Sequence, residues 1–495
     1  MTSLHGSILP PGTSSSTRFV AEQGGRGEIA QAVEQAIRDA GMQPVNLGAI
    51  PTPALTAFAL ARHCGSMMIT GSHIPFHRNG YKTNSAHGEL LKTDEAPIEN
   101  YVARWRAQIY DTPFMHSPFD AAGRFKSGSR RLPAADPAAA HEYLNRYRDY
   151  FGTDALRGLR VLVYQHSAVG RDLLAESLAG LGAQIVTVGR SEAFVPIDTE
   201  AIDDATLETI RALAADASRD DQRFDAVVST DGDSDRPLLV GLTYAGDGAC
   251  SAQFYGGDLV GMLVAEFLGA QSVVVPISCN DAIERGPLAA VLEPRTRIGS
   301  PYVIAGMLAA LENGARQVCG WEANGGFLTA TSFAGPLKSL PALPTRDAFL
   351  PIVCVLRRMA ADQVPMRALF DALPRRFSTA GLLRACPRAA SQRVMDALSS
   401  AASPGDQAVP SPALSALLAR YFTPDTGFSA VSKIDYTDGV RLYFSNQDIA
   451  HLRPSGNADE LRIYAVADSQ LRANAIVKEG IAEPAGILRR LLAEL

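Results

Sequence analysis

The chain has 495 residues, 46% of them hydrophobic and 20% charged, with a formal net charge of −6. That length exceeds what one core supports, so two to four domains are expected, and the acidic balance lacks the basic footprint of a nucleic-acid partner. No stretch approaches the ~18 uninterrupted apolar residues of a membrane span, and "MTSLHGSILPPGTSSSTRF" lacks a basic segment followed by an apolar run, so a cytoplasmic protein is expected.

Strand and helix patterns alternate from the start. "GEIAQAVEQAIRDAG" carries helical spacing at Ile29, Val33 and Ile37, and "MQPVNLGAIPTPAL" reads as a short strand and a proline-marked loop. A second unit follows in "LRVLVYQHSAVGRDLLAESLAGLGAQIVTVG", with a strand from Val161, a helix from about Gly170, a stop at Gly182 and another strand. A third runs from "GGDLVGMLVAEFLGAQSVVVPISCN" through "RIGSPYVIAGMLAALENGARQVCGWEANGG". Continuous Val/Ile-rich strands joined by helices indicate mainly parallel sheets covered on both faces, hence three α/β domains. Beyond "SSAASPGDQAVPSPALSAL", read as a loop or insertion, residues 428–467 form a meander with an Asp-Gly turn at Asp438 and Gly439 and a covering helix. The expected boundaries are 1–153, 154–256 and 257–372 for the α/β domains and 373–495 for a smaller α+β domain. The six cysteines are scattered without a CxxC pair, which indicates neither a zinc site nor a disulfide framework.

Four loops carry candidate chemistry. In "MMITGSHIPFHRNGYK" a strand ends at Gly71 and presents Ser72 beside His73, at the end of a parallel strand where α/β sheets place ligands. A helix cap is the alternative for Ser72, and Ile74 excludes a GxSxG elbow. "DGDSDRP" sets Asp231, Asp233 and Asp235 after the apolar run "FDAVVST". Extended, the three carboxylates would stand ~7 Å apart. A curled loop brings their oxygens together as hard ligands for Mg²⁺ or Mn²⁺. Arg236 and Leu242 stand where an EF-hand needs Gly and Glu, while a phosphatase with an aspartate nucleophile and a solvated acidic turn stay open. "GWEANGG" places Glu322 and Asn324 where vicinal sugar hydroxyls would find an acceptor and an amide, or where the chain merely turns. "HLRPSGNADELR" gathers Arg453, Ser455 and the amides of Gly456 and Asn457 into an anion site or a hairpin connection.

Together and in this order the four loops resemble the α-D-phosphohexomutases, over about residues 26 to 490. The resemblance implies three similar mixed or parallel-sheet α/β domains and a smaller α+β C-terminal domain around a central cleft. It implies that Ser72 carries a phosphoryl group and, with Asp231, Asp233 and Asp235, holds one Mg²⁺ per chain. Arg236 would offset charge, Lys82 matches the acid/base position, and His73 would orient the serine loop. Glu322, Asn324 and Arg297 would hold the sugar, and Arg453, Ser455, Gly456, Asn457 and Arg462 its other phosphate. A hexose 1,6-bisphosphate would serve as intermediate and activator. The expected partner is a small hexose phosphate, without nucleic acid or membrane, in a monomer or homodimer.

Departures from the family pattern bear on the substrate. "GTSSSTR" (Gly12 to Arg18) is a reduced counterpart of the usual FGTSGxRG segment, so the first strand and helix are expected to be shortened or missing. Asn324 and Gly326 replace the usual Ser and His, and Arg297 and Ser300 stand where Lys and His are frequent. These changes favour mannose phosphate, with glucose phosphate or both sugars as alternatives and a non-catalytic sugar-phosphate-binding protein as the reading from another class.

Overall fold

The computed structural model describes residues 14–17, 28–72, 80–128, 132–200, 202–219, 223–246, 250–399, 407–454 and 459–495. Four sheets follow one another along the chain. In the first, Ser14–Thr17 lies between Val45–Asn46 and Ser66–Thr70, parallel to both, and Gly80–Ser85 and Gly88–Glu89 continue antiparallel. The second places Gln184–Arg190, Arg160–His166 and Ala226–Thr230 in parallel and adds Pro237–Tyr244 and Cys250–Tyr255 antiparallel. The third pairs Ser272–Val274 with Val318–Trp321 in parallel, then Phe327–Thr329 and Leu343–Asp347 antiparallel. All three are therefore mixed. Inner strands read as continuous apolar runs because they are buried on both faces, as are Ala226–Thr230 and its antiparallel neighbour Pro237–Tyr244 over most of its length.

The fourth sheet is wholly antiparallel, in the order Phe377–Leu383, Leu461–Ala467, Ile449–Pro454, Val440–Phe444, Val431–Asp435, Gln407–Ala408. Its meander turns at Asp438 and Gly439, where Gly439 takes φ +77°, a conformation that costs glycine little. Helices Gln470–Ile481 and Ile487–Glu494 cover one face. The architecture is thus α/β followed by α+β, as the element pattern predicts.

Three local expectations need correction. The first strand and helix, expected to be shortened or missing, are both present among the described residues, as Ser14–Thr17 and Glu28–Asp39. The Pro-Thr-Pro stretch opens helix Thr52–Ala61 rather than a loop, because proline's missing N–H has no partner to lose in a first turn. The Ser/Ala/Pro-rich stretch contains helix Pro412–Ala419, capped by Ser411, whose hydroxyl accepts from the Leu414 amide at 3.2 Å.

One apolar core runs through the first three units, from Leu55 and Phe58 through Tyr143, Val161 and Val228 to Trp321 and Phe349. Asp347 binds it together. Its carboxylate accepts from Tyr143 Oη at 2.7 Å, Tyr147 Oη at 2.6 Å and the Phe349 amide at 3.0 Å. The tail has a separate core built around Leu442, Leu452, Ile463 and Leu488.

Two histidines are sealed inside. His166 Nε2 lies 2.8 Å from the Thr230 carbonyl and His451 Nε2 2.6 Å from that of Asp438, while both Nδ1 atoms are buried without a hydrogen-bond partner. Each ring is therefore neutral, with its proton on Nε2. Burial holds His166 down to about 4 and His451 to about 3, and Arg441 adds to the latter. With folded values below the unfolded ~6.5, the unfolded chain takes up the proton first, so stability is full above pH ~6.5 and falls as pH drops toward the folded values. Each ring should cost about 1.4 kcal/mol at pH 5.5. The thermal midpoint should fall between pH 7.5 and 5.5, and His451→Gln should flatten that dependence; an unchanged slope in the variant would refute the assignment.

Candidate active site

Three of the candidate loops leave the C-terminal ends of strands, where α/β sheets gather ligands. Strand Ser66–Thr70 delivers Ser72, strand Ala226–Thr230 delivers the aspartates, and strand Val318–Trp321 delivers Glu322. The left-handed turn falls on Ser72 itself, with φ +48°, and its amide donates to Thr70 Oγ1 at 2.7 Å. Its hydroxyl donates to Asp231 Oδ2 at 2.9 Å. Gly232 permits this approach, since a Cβ there would stand 2.3 Å from the Ser72 carbonyl oxygen.

The aspartate loop curls as its small residues allow. Ser234 takes φ +59°, and its hydroxyl accepts from the Gly170 amide at 2.9 Å and from Thr230 Oγ1 at 2.8 Å. Asp231 Oδ1 accepts from the amides of Asp235 and Arg236 at 3.1 and 3.2 Å. As a result one oxygen from each of the three buried carboxylates lies within 4.8 Å of the others.

Cations surround the cluster. Lys82 Nζ donates to Asp233 Oδ2 at 2.6 Å and to Asp235 Oδ2. Arg346 reaches Asp235 Oδ2 through Nε at 3.1 Å and Glu322 Oε2 through Nη1 at 3.0 Å. Arg236 Nε stands 3.9 Å from Asp231 and 3.7 Å from Asp235. Burial and then the two neighbouring carboxylates push the Asp231 carboxyl well above its usual range. For Asp233 burial acts in the same direction, but Lys82 overrides it and holds that carboxyl below the ordinary value. Burial also opposes the charge on Lys82, yet Asp233 and Asp235 outweigh it and keep the ammonium form.

This donor set fits a divalent cation. Asp233 Oδ1 and Asp235 Oδ1 are buried without a hydrogen-bond partner, a costly arrangement that a hard metal ion satisfies.

The remaining predicted residues divide into three groups. Glu322 and Asn324 are buried in the glycine loop, where Asn324 Oδ1 accepts from the Gly326 amide at 3.0 Å and Gly325 takes φ +87°. Arg453 and Arg462 face each other across two strands of the tail, and neither pairs with the aspartates. Arg453 Nε donates at 3.1 Å to Asp438 Oδ2, which also accepts from the Ile298 amide at 2.9 Å, beside exposed Arg297. Arg462 Nη1 donates at 3.0 Å to Glu200 of the second unit. His73, Ser455, Gly456 and Asn457 lie outside the described residues. Sequence reasoning missed Arg346, on strand Leu343–Asp347, and Glu200, neither of which carries a local sign of its distant partner.

Models of the phosphoglucomutase/phosphomannomutase family match domain I over residues 25–108, domain III over 256–377 and the C-terminal domain over 388–482. A phosphomannomutase of Sinorhizobium fredii is 38% identical over 459 residues, 92% of this chain and 87% of the relative. The chain belongs to the phosphoglucomutase/phosphomannomutase family. A phosphomannomutase of Salmonella muenchen is 36% identical over 91% of this chain and 83% of its own length. Among solved structures, a phosphoglucomutase/phosphomannomutase family protein from Burkholderia thailandensis superimposes with a TM-score of 0.63 at 19% identity, covering 98% of this chain and 89% of that one. The pp63/parafusin phosphoglucomutase of Paramecium gives 0.53 at 13%, over 94% and 84%. This phosphohexomutase is accordingly an isomerase that relocates a phosphoryl group within a hexose phosphate.

In this phosphohexomutase, removing the Lys82 charge leaves the buried carboxylates short of a cation. Lys82→Met should lower the thermal midpoint in chelator, and millimolar Mg²⁺ should raise it by more than in the parent. Equal Mg²⁺ shifts in the two proteins would count against a metal at the aspartates.

Proposed function

We propose that the chain is a phosphomannomutase that interconverts mannose 6-phosphate and mannose 1-phosphate through a phosphorylated Ser72 and a mannose 1,6-bisphosphate intermediate. The observation that carries this reading is the Ser72 hydroxyl held 2.9 Å from Asp231 within a buried aspartate cluster. The two phosphomannomutase relatives, at 38% and 36% identity over more than nine-tenths of the chain, support the sugar.

A sugar hydroxyl oxygen would attack the phosphorus on Ser72. The bond from phosphorus to Ser72 Oγ would break, and the hydroxyl proton would end on Ser72 Oγ. The bisphosphate would then turn and return its other phosphoryl group by the same steps in reverse. Mg²⁺ held by Asp231, Asp233, Asp235 and the phosphorylated Ser72 would neutralise charge on the transferring group. Arg236, beside the cluster, would add a fixed positive charge where negative charge develops. Lys82, kept as the ammonium ion, would give a proton to the departing oxygen and take up the one the attacking hydroxyl loses, so that each half-reaction returns it to the charged form. His73 would steady the serine loop.

Glu322 and Asn324 would hold ring hydroxyls in both orientations, with Arg297 at the mouth. Arg453, Ser455, Gly456, Asn457 and Arg462 would grip the phosphate that is not reacting. Two arginines directly opposite on neighbouring strands repel each other, a cost that a bound dianion offsets.

The test is turnover of mannose 1-phosphate, glucose 1-phosphate and glucosamine 1-phosphate, each primed with hexose 1,6-bisphosphate. Mannose 1-phosphate should give the highest kcat/KM, and glucosamine 1-phosphate in that place would overturn the reading. Intact mass should show one phosphate that Ser72→Ala lacks. Arg453→Ala should reduce kcat/KM at least about tenfold, equivalent to ~1.4 kcal/mol of transition-state binding, while Ser72 stays phosphorylated. Wild-type kinetics in that variant would remove the tail domain from the site.

A further inference from the structure

Helix Lys92–Asp111 follows directly on the strands that carry Lys82 and Glu89, runs for 20 residues and buries none of them. An amphipathic surface helix ordinarily sets its apolar stripe against the core. Here Ile98, Val102, Trp105 and Ile109 recur at intervals of four, three and four, the spacing that forms a coiled-coil seam. Yet Val102 is 40% exposed and Trp105 48% exposed, and Tyr101 beside them is 40% exposed.

The charges flanking the seam identify its partner. Glu99 and Arg106 lie on the same side of the stripe, one turn on either side of the helix centre, and neither pairs with any described residue. Facing a second copy of the same helix in antiparallel orientation, Glu99 meets the partner's Arg106 and Arg106 meets the partner's Glu99. The same register sets Val102 against the partner's Trp105 and Ile98 against the partner's Ile109. A parallel pairing would instead bring Asp94 against the partner's Glu99, like charge on like. We infer that this helix is a homodimer interface, in which two copies of the chain pair their Lys92–Asp111 helices antiparallel about a two-fold axis. The surface is self-complementary in shape and in charge, as a two-fold contact requires. At ~1.5 Å per residue the helix provides about 30 Å of contact length.

The full-length protein should sediment as a dimer that dissociates on dilution. The chain has two tryptophans, and Trp321 is fully buried, so any shift of emission to longer wavelength on dilution reports Trp105 leaving an apolar interface. Glu99→Arg alone and Arg106→Glu alone should each weaken association by roughly tenfold or more, since each sets two like-charged pairs across the axis. An equimolar mixture of the two single variants should associate again, as should the double variant. That rescue also excludes misfolding as the cause of either loss. A wild-type chain that stays monomeric at the highest concentration reached overturns the inference, as does a dimer indifferent to both charge reversals. A monomer whose Trp105 emission moves only when anionic lipid vesicles are added would assign the seam to a membrane surface and overturn it too.

Discussion

The site depends on the balance between three buried carboxylates and the cations drawn round them. Asp231, Asp233 and Asp235 are almost wholly removed from water, and an unpaired charge there would cost several kcal/mol. Lys82, Arg346 and Arg236 supply the opposing charges, and each comes from a different place in the chain: the first sheet, the third sheet and the aspartate loop itself. The cluster can therefore form only where the first three units meet. Their common core brings them there, and the cluster in turn makes any other arrangement of those units expensive.

The same balance shapes the local backbone. A Cβ at position 232 would collide with the serine loop, so the glycine between the first two aspartates sets how near Ser72 can come to Asp231. On strand Leu343–Asp347 the alternation of side chains sends Arg346 toward the aspartates and its neighbour Asp347 toward Tyr143 and Tyr147. One residue thus balances the buried aspartates while the next ties the first unit to the third. A one-residue slip of that strand would exchange the two and place a carboxylate where the cluster needs a cation.

Much of this was readable in the residues. The Asp-Gly-Asp-Ser-Asp-Arg run after an apolar strand, and a serine at the end of another, specify their own loops because local chemistry decides them. The alternating strand and helix patterns likewise gave the architecture. What the sequence concealed is non-local. Which strands of the first three sheets run antiparallel is decided by pairings such as that of Ala226–Thr230 with Pro237–Tyr244, which the composition of either strand alone does not announce. Arg346 was missed because nothing within its own strand reveals that a carboxylate from residue 235 lies beside it. The sequence reading did not single out Lys92–Asp111, and its significance appears only when the structure shows that none of its residues is buried among the described ones. The proline-opened helix at Thr52 was read as a loop because proline breaks a helix interior but is welcome at its start.

The tail's separate core gives it a mechanical independence that the other units lack. It meets them near the site through polar links: Arg462 with Glu200, and Asp438 with the Ile298 amide. Deeper in, the fully buried Arg441 donates to the carbonyls of Ile277 and Cys279, so the joint is polar there as well while each apolar core stays its own. The tail is thus a separately built body fastened to the others by hydrogen bonds rather than by a shared interior.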